Sequence, residues 1–171
     1  MTMNEVDPYR FTGRYIKKVI STAIDAATPP PDLPWTTLGK PLNESRVALL
    51  STAGISMRDD TPFDMDGERA NPVWGDPSWR RISRDATSAD VAVNHLHIDT
   101  SYIERDINVA LPTTRLAELA AAGIIGDSAA HHYSIMGFQG DDSSVLENQS
   151  APEIARAMHD DEVDLAILAP V

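Results

Sequence analysis

Cysteine is absent from all 171 residues, so the chain as written carries no disulfide, no thiolate metal ligand and no thiol nucleophile. Basic charge is scarce too: 14 Lys and Arg face 26 Asp and Glu, a formal net charge of −12. Affinity for a phosphate backbone needs clustered cations, so nucleic acid is excluded as a partner. No apolar run reaches the ~20 residues of a membrane span. The opening Met1-Thr2-Met3-Asn4-Glu5-Val6-Asp7 also lacks a basic segment followed by an apolar one, so the expectation is a cytoplasmic protein off the membrane. A Walker-type glycine loop and a GxSxG elbow are missing as well. What remains, at 42% hydrophobic residues, suffices for one buried core.

Along the chain, Ile16, Val19, Ile20, Ala23, Ile24 and Ala27 recur at helical spacing, which predicts an amphipathic docking helix within residues 1–27. Residues 28–45 open with Thr28-Pro29-Pro30-Pro31-Asp32-Leu33-Pro34-Trp35, a stiff polyproline-like connector. Residues 46–53, with the apolar run Val47 to Leu50 and a close at Gly54, read as a first buried strand. Residues 55–90 break the pattern with Pro62, Pro72, Pro77 and six aspartates before Asp90, and read as one long irregular segment in which Trp74 and Trp79 pack. A strand over 90–95, a helix over 114–122, a strand over 129–136 and a closing buried strand over 163–169 follow. Ser150 and Glu153 stand at capping-box spacing before a helix whose core face is Ile154, Ala157 and Met158. Alternating strands and helices predict an α/β fold over 46–171, a partial Rossmann-like parallel sheet with flanking helices that stops after its last strand. In such sheets ligands bind at the carboxyl ends of the strands.

Four groupings could carry chemistry. His95, His97 and Asp99 alternate on an extended stretch and could share a metal, although Thr100 stands where the HxHxDH pattern of metallo-β-lactamase-type hydrolases has its third histidine. An exposed strand end gives the same string. Asp106 and Asn108, two apart, suit either a ligand clamp or a turn. His131 and His132 adjoin within a strand, so their rings face opposite sides. Arg80, beside Trp79 and Arg81, could grip a substrate carboxylate through its guanidinium fork.

Pro29-Pro30-Pro31, Val47 to Gly54, Pro62-Phe63-Asp64, Gly75-Asp76 with Arg80 and Ile82, His95 with Asp99, Asp106-Ile107-Asn108, Arg115 to Leu119, His132 with Met136-Gly137, Pro152 to Ala155 and Val163 to Leu168 share the order and spacing of one family. Over roughly residues 28 to 171 the chain resembles selenoprotein B of the glycine, sarcosine, betaine and D-proline reductases, nearest to the D-proline branch. The resemblance implies reductive cleavage of a carbon–nitrogen bond beside a carboxylate. It also implies a selenocysteine or cysteine directly after Val171, so that residues 46–171 form an incomplete reductase domain whose reading frame halts at its own active-site codon. A pyruvoyl group on a partner subunit, a dithiol reductant and an oligomeric assembly belong to the same expectation.

Strands that end at Ala53, His95 and Met136 bring their loops to the rim with Val171. On that placement His95 and His132 are the candidate acid–base or orienting groups, with Asp99 and Asp106 as their partners. Asn108 and Arg80 are the candidate substrate contacts, and no resident metal is assigned. Two rivals stand beside the reductase: a metal-dependent hydrolase using His95, His97, Asp99 and His132, and a non-catalytic subunit docked through its amino-terminal helix.

Overall fold

The computed structural model describes residues 13–26, 36–140 and 142–171, so the polyproline stretch 28–35 and Asp141 lie outside the described residues. The chain divides into two compact units, residues 1–37 and 38–171. In the first, α1 (Arg14–Ala26) forms where the helical periodicity predicts it. No helix among the described residues is long and apolar enough to cross a membrane.

The second unit is an α/β fold built on β1 (Arg46–Ser51), which pairs with three other strands. Strands β5 (Asp127–Ser128) and β6 (His131–Ile135) pair with it in parallel along one side, and β7 (Leu165–Ala169) pairs in parallel along the other. A fifth strand, β3 (Trp79–Ser83), adds to β6 antiparallel, so the sheet is mixed and only mostly parallel.

Alternation along β1 separates two cores. Val47 and Leu49 face Ile103 of α3 (Ser101–Arg105), Ile107 and Leu116 of α4 (Thr113–Ala121). Ala48 faces Tyr133, and Ile154 and Ala157 of α5 (Ala151–Asp160). Each fully buried aliphatic side chain here contributes roughly 1.5–3 kcal/mol.

Three expectations are corrected. The segment 55–90 is not one irregular loop: it holds β2 (Ile55–Met57), α2 (Met65–Ala70) and β3. These elements are too short for periodicity to show, and their partners are distant in sequence. The strand at 90–95 shrinks to β4 (Val91–Val93) and leaves the main sheet, pairing antiparallel with β2 in a separate ribbon. The closing strand is not buried: Ile167 is 42% and Leu168 67% exposed, because β1 is its one strand neighbour among the described residues.

The capping box also fails. Ser150 ends a π-helical turn, Leu146–Ser150, and its hydroxyl donates to the carbonyl of Pro77. Glu153 instead accepts from Trp79 Nε1 at 3.0 Å. Both side chains thereby tie the start of α5 to the β3 side of the fold rather than to each other.

Candidate active site

At the carboxyl ends of β1, β6 and β7 the chain turns into Thr52, Gly137-Phe138 and Pro170-Val171. With Pro72, His95, His97 and Ile98 these residues line a cavity of about 690 Å³. Thr52 fixes one wall, since its hydroxyl accepts from the Val171 N–H at 2.9 Å and its own N–H donates to the Ala169 carbonyl at 3.3 Å.

Gly54 fixes another wall. It sits at φ 63°, and a side chain there would collide with the Asn94 carbonyl and Met136 Sδ. The Asn94 amide closes the same corner by donating to the Gly54 carbonyl at 3.1 Å and to Ser56 Oγ at 2.9 Å. The chain therefore enters the His95–Ile98 stretch from a pinned point.

His95 accepts the His97 backbone N–H on Nδ1 at 3.0 Å, which leaves the proton of the neutral ring on Nε2. The two rings stand edge to face, 5.9 Å apart. Burial holds the His95 basicity below its ordinary value; the nearby Glu68 carboxylate pulls upward, and His97 pulls downward again.

Glu68 is the residue that sequence reasoning missed. It comes from α2, which Asp64 caps by accepting the Gly67 N–H at 2.8 Å, and its side chain is only 2% exposed. Its Oε1 lies 3.0 Å from His97 Nε2, yet the pair lacks hydrogen-bond alignment, and neither oxygen has another hydrogen-bond partner among the described residues. No periodic signal marks Glu68, because α2 is under two turns long.

The other expected residues are not brought to this cavity. His132 is wholly buried inside the sheet: Nδ1 accepts the Leu49 N–H at 3.2 Å and Nε2 lies 3.4 Å from Ser128 Oγ. It bridges β1 to β6 at the break between β5 and β6, and burial pushes its pKa down to about 4. Asp99 caps the Ser101 N–H at 3.0 Å. Asp106 accepts from Asn108, whose Oδ1 in turn accepts the Thr114 N–H at 3.0 Å, so this pair ties down the start of α4. The Arg80 guanidinium is spent on the carbonyls of Thr61, Pro62 and Trp79 and on the Ser78 hydroxyl, and lies 4.4 Å above the Phe63 ring.

Among the described residues no three His, Asp or Glu side chains converge to hold a metal ion. A larger cavity, about 780 Å³, opens at the opposite end of the sheet. Its lysine and arginine are paired within the protein, Lys40 with Asp164 and Arg46 with Glu162, both at 2.7 Å. The smaller cavity is lined by two imidazoles, those of His95 and His97.

Residues 32–171 match the family described as glycine/sarcosine/betaine reductase selenoprotein B. The chain is also 35% identical over 141 residues to the D-proline reductase subunit gamma of Acetoanaerobium sticklandii. That alignment covers 82% of this chain and 54% of the relative, so the chain spans about half of the relative's length. No solved structure matches it.

Proposed function

The chain belongs to the glycine/sarcosine/betaine reductase selenoprotein B family, and from that premise we propose that it serves a reductase subunit that cleaves the carbon–nitrogen bond of an amino acid or amino-acid derivative. One observation supports the site above all. The imidazoles of His95 and His97 line the same cavity as Val171, whose backbone is held by Thr52 at the carboxyl ends of the strands.

The 171 residues contain no cysteine, so the redox nucleophile of this reading comes from outside them. When bound there, a selenol or thiol supplies a polarisable nucleophile, a pyruvoyl carbonyl on a partner subunit holds the substrate amine, and a dithiol supplies two electrons. The cavity suits that role: Pro72, Ile98, Phe138, Pro170 and Val171 give it apolar walls, and His95 offers an N–H donor.

The work of the chain's own residues is proton handling. As the C–N bond breaks, its electron pair goes to nitrogen, which takes the Nε2 proton of His95. Over a full turnover the C–N bond is replaced by one C–H and one N–H bond. The two electrons leave the dithiol as it closes to a disulfide, and its two protons end on carbon and nitrogen.

Protein isolated from its native cells, with whatever subunits accompany it, is to be incubated with a dithiol and, separately, D-proline, glycine, sarcosine and betaine. Cleaved product is expected from at least one, and His95→Ala should lower kcat about 100-fold. No dithiol-dependent cleavage of any of the four would overturn the reading.

A further inference from the structure

Glu68 sets a physical problem that no other described residue shares: a carboxylate with both oxygens buried and without a hydrogen-bond partner. Such a group is costly to bury unless a cation or donor compensates it. Among the described residues the one group within ion-pair distance of it is His97 Nε2, at 3.0 Å. His97 itself is 60% exposed and lines the cavity. Carboxylate, imidazole and cavity therefore stand in series from inside to outside. A carboxylate behind an imidazole decides which ring nitrogen carries the proton. The nitrogen of His97 that faces Glu68 is Nε2; a proton held there leaves Nδ1 as the basic atom. In His95 the engaged nitrogen is the other one: Nδ1 is occupied by the His97 N–H, so Nε2–H is the atom left to donate.

We propose that Glu68 is a positioning residue that holds His97 as the proton acceptor of the cavity, so that His95 gives a proton and His97 takes one. The chemical part rests on the reductase reading above; the placement of the proton does not. Under that reading His97 Nδ1 takes the proton of a reductant thiol as its S–H bond breaks, and the electron pair stays on sulfur as the attacking thiolate. The two imidazoles then exchange their protons with solvent between turnovers, which restores both starting states.

The test uses the full chain labelled with ¹⁵N-histidine, with ring signals assigned by single His→Gln variants. His97 is expected in the Nε2–H form, with a ring proton that exchanges at least about 10-fold more slowly than in Glu68→Gln. The His95 tautomer, set by the His97 N–H on its Nδ1, should be the same in the two proteins. An Nδ1–H form of His97, or exchange that Glu68→Gln leaves unaltered, sinks the inference.

Stability gives an independent check that survives a poorly behaved variant. His97→Ala should lower Tm, and adding Glu68→Gln should recover most of the loss, since the stranded carboxylate is then gone; no recovery means the two are uncoupled and the proposal fails. In the assembled protein, Glu68→Gln should lower kcat about 10-fold with KM within about twofold, and Glu68→Asp should restore part of it. Unchanged turnover would refute the chemical part. The expected ¹⁵N pattern in a protein without any dithiol-dependent turnover would support the role of Glu68 and remove the reductase reading instead.

Discussion

Burial of His132 between β1 and β6 makes mild acid a condition this fold resists poorly. In the unfolded chain the ring takes a proton near its ordinary value of 6.5, whereas in the folded protein it does so only at about 4. Between these values the unfolded state binds more protons. The contribution is therefore complete above about pH 6.5 and is lost as the pH falls toward 4, at most ~3 kcal/mol. His95, also lowered by burial, acts with the same sign. Burial alone would raise the Asp76 pKa, but the Ser78 hydroxyl and backbone N–H groups outweigh it and hold the carboxyl below 3.8, so its window lies lower on the pH scale. Urea unfolding between pH 7.5 and 4.5 should show the wild type losing more stability than His132→Gln, whose amide can still accept the Leu49 N–H; parallel pH curves would contradict this assignment. The sequence put the rings of His131 and His132 on opposite sides of a strand. It did not show that His132 fills a gap in the β1–β6 ladder, because that gap exists only once Ala129 and Ala130 interrupt the strand.

At the scale of elements, α4 begins at a proline that offers no side-chain cap, and the cap arrives from outside the helix. Asn108 accepts the Thr114 N–H and donates to Asp106 Oδ1 at 2.7 Å, so a loop six residues upstream satisfies the helix start. Asn108→Ala is expected to cost ~1 kcal/mol of stability, read as a drop in Tm, and to leave substrate KM unchanged. An unaltered Tm with a raised KM would return Asn108 to the role of ligand contact. The spacing of Asp106 and Asn108 in the sequence left clamp and turn equally open, and the choice needed the position of Thr114. The long elements β1, α4 and α5 were legible because period and burial agree over enough residues to be seen. The short β2, α2 and β3 were not, and with α2 went Glu68.

For the molecule as a whole, the exposed edge β7 is the main departure from a closed fold. Ile167 and Leu168 point to opposite faces, and both are open to solvent, beside a row of backbone groups with no further strand to pair them among the described residues. The net charge of −12 opposes association but does not cover that edge. The 171-residue chain alone should therefore self-associate at micromolar concentration, and Leu168→Lys should shift it toward monomer in sedimentation velocity. A wild-type chain that sediments as a single monomeric species would show the edge to be harmless.

By itself the sequence determined the α/β class, the central apolar strand and the family, and it singled out the His95 stretch as a candidate for chemistry. Each of these rests on local pattern or on ordered strings of residues. Only the tertiary structure decided which candidates share a cavity. It took His132, Asp99, Asp106, Asn108 and Arg80 into hydrogen bonds that hold the scaffold, and it brought Glu68 up behind His97 from a helix 29 residues earlier in the chain. The physical reason is that a side chain's role depends on what meets its polar atoms. For His132 and Glu68 the deciding partners, Leu49 and His97, come from segments distant in sequence, which spacing along the chain does not encode.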